Sequence, residues 1–238
     1  MRLITFFLAG LVTTPATTLA QDYDAPRNAT VNAAGATSVR IDARAGLLRV
    51  TGRTDLTEVR VRGTARASSR DLLDDIKVEA VRNGNQIEVR ALVPESRDSG
   101  WNDHAVLDLV IEVPATLALD VDDTSGDLTV ESINAKVRIE DSSGNIRVRD
   151  VGDVWISDSS GGIDVRGVKG SVDIDDDSSG EIEVYDVTGS VRVGHDGSGS
   201  IDVSRVGGDF IVGRDGSGSI DYGDVKGKID IPRKRNHR

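Results

Sequence analysis

Between Leu128 and Ile231 apolar residues return at fixed places along the chain. Leu128, Val130, Ile133, Val137 and Ile139 open the series, and Ile146, Val148, Val151, Val154 and Ile156 repeat it. Ile163, Val165, Val168, Val172 and Ile174 follow, then Ile182, Val184, Val187, Val191 and Val193. Ile201, Val203, Val206, Phe210 and Val212 form the fifth set, and Ile220, Tyr222, Val225, Ile229 and Ile231 the sixth. Apolar residues two apart lie on one face of a strand. The abundance of Val and Ile suits a pleated surface and argues against helix. Each set therefore predicts two short strands with one buried face.

An acidic turn joins the sets: "DDTSG", "EDSSG", "SDSSG", "DDSSG", "HDGSG" and "RDGSG", ending at Gly126, Gly144, Gly161, Gly180, Gly199 and Gly218. These glycines are 18, 17, 19, 19 and 19 residues apart, a fixed period that signals stacked repeats. Every set enters and leaves through the same turn, so equivalent residues stack in columns. The expectation is an all-β chain, a single-stranded parallel β-helix or β-solenoid, with six regular rungs over 121–231. One rung cannot bury its apolar face alone; stacked neighbours can.

Upstream the pattern weakens, and 36–120 reads as an irregular β start of the same solenoid. "AGLLRVTG" at 45–52 echoes the first strand of a rung, "EVRVRG" at 58–63 resembles the second, and Leu119 with Val121 takes second-strand positions. A hairpin is expected over 76–91, where Asn83-Gly84 separates two alternating runs. Residues 21–35 read as a flexible N-terminal segment. At the far end Pro232, which cannot donate to a ladder, opens a basic tail over 232–238 that would blunt the exposed edge.

Residues 1–20 read differently from the rest. Arg2 supplies a positive start, Leu3 to Val12 are apolar over a stretch too short to span a bilayer, and Thr18-Leu19-Ala20 offers a small-residue cleavage site. This is the pattern of a secretory signal peptide. It predicts Sec-type export and a soluble mature protein in the periplasm or outside the cell, with no transmembrane segment after signal cleavage. The chain has no cysteine, so no disulfide holds it together and stability must come from packing.

Charge sharpens the picture. The 238-residue chain carries a net charge of −11, and the span from Val121 to Ile231 alone holds 24 acidic against 11 basic side chains. Phosphate backbones are bound by basic groups that release counterions, so nucleic acid is excluded as a partner class. Cations, or an envelope or extracellular component indifferent to negative charge, fit better.

Asp stands three residues before each marker glycine, at Asp123, Asp141, Asp158, Asp177, Asp196 and Asp215. The local reading is a tight corner: an Asp side chain accepts from the backbone N–H two residues on, and Gly takes a left-handed conformation. The functional reading is a ladder of metal ligands for calcium, which prefers six to eight oxygens. Against calcium, neither the glycine-rich nonapeptide of calcium-loaded β-rolls nor an EF-hand loop is present. No catalytic residue is assigned: His104, His195 and His237 fall in a loop, a turn and the tail, with no nucleophile motif beside them. Two tryptophans are candidate partner contacts, Trp155 pointing outward between Val154 and Ile156, and Trp101 in the loop "ESRDSGWNDH".

The "EVP" phrase at Glu112 to Pro114 followed by tandem "SGxIxVxxVxGxVxI" rungs resembles a bacterial domain family of unknown function known as the "putative adhesin" domain. The resemblance covers 36–231. It implies a right-handed parallel β-helix at the cell envelope and brings no catalytic residues with it. The resulting expectation is a secreted, non-enzymatic, adhesin-like interaction or structural protein. The alternatives are a polysaccharide-acting β-helix enzyme and a calcium-binding solenoid.

Overall fold

The computed structural model describes residues 22–94 and 103–232. Two ten-stranded sheets face each other across one aliphatic core. In spatial order the first sheet runs Tyr23–Asn32, Glu58–Ala67, Ala105–Pro114, Leu48–Arg53 and Leu128–Glu131, then Ile146–Val151, Ile163–Val168, Ile182–Val187, Ile201–Val206 and Ile220–Val225. The second runs Lys77–Asn83, Gln86–Leu92, Ser38–Asp42, Ala118–Asp123 and Val137–Asp141, then Val154–Asp158, Val172–Asp177, Val191–Asp196, Phe210–Asp215 and Ile229–Asp230.

From Ala105–Pro114 onward the chain alternates between the sheets, and from Ala118–Asp123 onward each strand pairs in parallel with its counterparts in the neighbouring rungs. The chain is a parallel β-solenoid. Its register stacks like on like: Ile146, Ile163, Ile182, Ile201 and Ile220 form one column, and Val148, Val165, Val184, Val203 and Tyr222 the next. All five apolar positions of each of the first five sets are buried. The sixth set is not: Tyr222 is 47% and Ile229 38% exposed, because no further rung covers them.

The two halves of the start behave differently. "AGLLRVTG" occupies the first-strand place it echoes, with Leu48 opposite Leu128 and Val50 opposite Val130. "EVRVRG" does not take a second-strand place. It belongs to Glu58–Ala67, which lies antiparallel to Ala105–Pro114 in the first sheet. Residues 21–35, expected to be flexible, carry the strand Tyr23–Asn32, antiparallel to Glu58–Ala67 over its whole length. Its side chains alternate between half-buried and exposed, and the middle of its inner face is Ala25, Arg27 and Ala29, so its hydrophobic signal was weak. Pro26 is tolerated because this is an edge strand.

The hairpin is part of the second sheet rather than a decoration, since Gln86–Leu92 runs parallel to Ser38–Asp42. Asn83 pairs with Gln86, so the two loop residues are Gly84-Asn85, one later than Asn83-Gly84. Gly84, with φ 62°, supplies the left-handed first loop position that a II′ turn requires.

A single helical turn and a half, Arg70–Asp75, covers this end. Ser69 caps its N-terminus by accepting from the Leu72 N–H at 3.2 Å. Its last carbonyls are met from the side: Arg27 donates through Nε to Ile76 O at 2.6 Å and through Nη2 to Leu73 O at 2.7 Å. Charge-assisted bonds of this kind are the stronger ones. Arg27→Ala is expected to cost about 1–3 kcal/mol, measured as a lower urea midpoint with faster amide exchange around Leu73 and Ile76 than in the solenoid.

Candidate functional site

The acidic corner follows directly from strand parity. In Val137–Asp141 the side chains of Val137, Ile139 and Asp141 point inward while Arg138 and Glu140 point out. Asp123, Asp158, Asp177 and Asp196 are placed the same way, and all five are at most 6% exposed. In the later rungs an extra residue shifts the register after Ile156 and Ile174, so that Asp176 faces out opposite Ser157 and Asp177 remains in line with Asp158. The column is continuous: Asp123 pairs with Asp141, then Asp158, Asp177, Asp196 and Asp215. One register step beyond the Asp42–Asp122 pair stands Ala43, buried, where the next Asp would be. An apolar residue ends the column.

The turn itself supplies hydrogen bonds to one carboxylate oxygen. Oδ1 of Asp123 accepts from Thr124 N–H at 2.8 Å, and Oδ1 of Asp141 from Ser142 and Ser143 N–H at 2.8 and 3.3 Å. Asp158 and Asp177 accept from Ser160 and Ser179 N–H, both at 3.2 Å. The marker glycines, all at positive φ, carry the backbone round the corner and donate across the rungs, as from Gly161 N–H to Ser179 O at 3.0 Å. The corner reading accounts for Oδ1. It leaves Oδ2 of Asp123, Asp141, Asp158 and Asp177, and both oxygens of Asp196, buried with no donor.

Such burial is costly for a charge. Neighbouring strands lie about 4.8 Å apart, and two like charges at that distance repel by about 3.5 kcal/mol at an effective dielectric of about 20. Burial, and then the Asp141 carboxylate, push Asp123 up to about 7. Burial and Asp158 push Asp141 up to about 6, and burial with Asp158 and Asp196 pushes Asp177 up to about 7. Asp158 is raised by burial, and Asp196 by burial and then Asp215. These carboxyls face the interior and are out of reach of a polymer lying on the surface. Among the described residues no group of three or more His, Asp or Glu side chains is arranged to hold a metal ion.

The outer faces are charged and largely self-paired. On the second sheet one column reads Arg40, Asp120, Arg138, Trp155, Asp173, Arg192, Ile211 and Asp230. Arg40 meets Asp120 at 2.7 Å and Arg192 meets Asp173 at 2.6 Å. Trp155 does point outward, and the Arg138 guanidinium lies 3.6 Å from its ring centroid while also pairing with Glu140. One face of the indole is thus covered. Trp101 lies outside the described residues, as do residues 1–20 and 233–238.

On the first sheet the outward column Asp164, Glu183, Asp202 and Asp221 places four acids on four consecutive strands. Arg149 and Arg166 both pair with Asp164, and Arg166 reaches Glu183 at 2.9 Å. The Arg149 hydrogen bond holds Asp164 below the ordinary carboxylate range. Burial, and then Asp202, push Tyr185 up to about 12.

A second corner escaped sequence reasoning. Ser132, Asp150, Gly167, Asp186, Arg205 and Asp224, one per rung, all have φ between 51° and 73°. Only one is glycine. The signal was present in the three aspartates, since Asp tolerates the left-handed region better than most residues. Arg205 there reaches back to Asp186 through two bonds, at 2.5 and 2.9 Å, and a shallow groove follows this corner between Asp186 and Lys226.

No family model and no curated protein matches the chain. Solved structures do. A protein from Bacteroides fragilis described as "a putative adhesin" is 16% identical, with 90% of this chain and 99% of that one covered and a TM-score of 0.39. A "putative cell adhesion protein" from Clostridium sporogenes is 10% identical, with coverages of 88% and 99% and a TM-score of 0.34. A "putative lipid binding protein" from Parabacteroides distasonis is 17% identical, with coverages of 87% and 97% and a TM-score of 0.36. The chain is a parallel β-solenoid whose neighbours among solved structures include bacterial proteins described in terms of adhesion.

Proposed function

We propose that this chain is an exported, non-enzymatic, adhesin-like solenoid that presents a regular charged surface to a component of the cell envelope or the extracellular space. The observation that carries the reading is the periodic outer surface, above all the acid column Asp164, Glu183, Asp202 and Asp221. Side chains at one register position recur about every 4.8 Å along a stack of strands. Such an array suits a partner that is itself repetitive. Trp155, with Arg138 stacked on it, is the proposed apolar contact on the opposite sheet, and Trp101 a second one.

Labelled residues 21–238 are expected to bind intact cells or isolated envelope fractions saturably, with binding that weakens as salt is raised, because exposed charges are screened within about 8–10 Å at moderate ionic strength. Absence of saturable binding to every fraction sinks the proposal. Release of unsaturated or reducing ends from a glycan panel would replace it with the polysaccharide-acting reading.

A further inference from the structure

We propose that the buried aspartate column is a proton-binding site: Asp123, Asp141, Asp158, Asp177 and Asp196 share protons as carboxyl–carboxylate hydrogen bonds along the solenoid axis, and mild acid thereby stabilises the fold. This inference is independent of what the outer surface binds.

Three geometric observations lead to it. The carboxyls are stacked in register, one per rung, and buried. Each keeps at least one oxygen that no donor reaches. Asp196 and Asp215 are register partners, and Oδ1 and Oδ2 of Asp196 and Oδ1 of Asp215 are buried without a partner, where two carboxylates could offer each other no donor. A proton on one member supplies the missing donor and removes one charge from the repelling pair, as in other paired carboxyl sites. Calcium would need six to eight oxygens, far more than two stacked carboxyls offer.

Among the described residues, His195 is the basic side chain that acts on the column's raised carboxyls. The first inward residue after each turn is aliphatic: Leu128, Ile146, Ile163, Ile182 and Ile201. The charged neighbours are Asp122 beside Asp123, Asp176 beside Asp177, and His195 beside Asp196. Nδ1 of His195 is itself 3.3 Å from Asp176.

The raised values fix the direction. A carboxyl whose folded value lies above its ordinary 3.8 binds its proton more tightly in the folded chain, so its stabilisation is complete below about 3.8 and is lost as pH rises through about 6 to 7. The outer acids held low by arginines, such as Asp164 and Asp186, have the opposite sign. Their contribution is lost only as pH falls below 3.8, outside the window in which the column titrates.

The test is thermal melting of residues 21–238 at about pH 5.5 and about pH 8 in chelator, for the native chain, Asp177→Asn and His195→Gln. The native chain is expected to melt higher in acid, by about 5 °C or more. Asp177→Asn, which carries a permanent N–H donor and no charge, narrows that gap by raising the melting point at the alkaline pH. His195→Gln leaves the gap in place. A native chain that melts no higher in acid overturns the proposal, as does a gap that disappears in His195→Gln. Calcium that raises the alkaline melting point as far as acid does, reversibly with chelator, overturns it in favour of a cation ladder. Should Asp177→Asn fail to fold, Asp141→Asn makes the same comparison one step from the end of the column.

Discussion

Alanine at Gly180 is expected to abolish cooperative folding of the solenoid, with a destabilisation on the order of 5 kcal/mol or more. Gly180 has φ 150°, a conformation L side chains rarely adopt, and a Cβ placed there would fall on the carbonyl group of Gly161. The same arrangement recurs up and down the corner: Gly144 faces Gly126, Gly161 faces Gly144, and Gly199 faces Gly180. The glycines are stacked backbone on backbone, so one methyl group must either open the ladder between two rungs or tilt the whole corner. Neither relaxation is local. Gly84 provides the control, since a Cβ there meets nothing within 4 Å and only its φ of 62° is unfavourable. Gly84→Ala should cost about 1–2 kcal/mol. Urea unfolding followed by far-UV circular dichroism separates the two, and a Gly180→Ala protein as stable as Gly84→Ala would show that the corner is looser than its geometry implies.

Phe210→Ala carries the second largest effect, a loss of about 3–5 kcal/mol. Phe210 is fully buried in an otherwise aliphatic column that runs through Val137, Val154, Val172, Val191 and Ile229. It stands one rung from the open end, where its ring centroid lies 6.0 Å from that of Tyr222. A larger side chain here fills space that a further rung would otherwise cover. Its removal leaves a cavity and also strips Tyr222 of its partner, so the last rung should fray together with the global loss. Amide exchange reads that out: protection should fall first in Ile220–Val225 and Ile229–Asp230. Loss of protection spread evenly over all rungs would contradict the assignment of Phe210 to the end of the core.

The legibility of this fold in its sequence is uneven for physical reasons. Period-two alternation nested in a period of 17–19 residues marks each rung strand unambiguously, because Val and Ile recur where parity sends them inward. The same parity carried the orientation of Asp123, Asp141 and Asp158, each two residues after an inward aliphatic one, whereas Asp177, Asp196 and Asp215 lie one residue further on and are brought into line by a shift of register. A corner residue read as part of a turn was in truth the last inward residue of a strand. The strand Tyr23–Asn32 was illegible because Ala25, Ala29, Pro26 and Arg27 give almost no apolar contrast, and its place is decided by partners more than 25 residues away. Arg27 itself shows why: its role is to cap a helix end 46 to 49 residues distant. The left-handed corner was missed since Ser, Arg and Asp replace glycine there.

The two ends of the solenoid are made differently. Antiparallel strands and the helix close one of them, while among the described residues the other stops at two parallel strands each paired on one side only, the last two residues long and flanked by Lys226, Lys228 and Pro232. Length is therefore a variable that gene duplication can adjust in whole units. A copied block of 19 residues, cut from one marker glycine to the next, brings its own two strands, both corners and one aspartate of the buried column. It needs no contact beyond the rungs on either side. The closed end, by contrast, admits no such insertion without rebuilding the antiparallel strands. The two ends thus differ in kind: whole rungs can be added to the parallel stack, and none can be slipped in among the antiparallel strands.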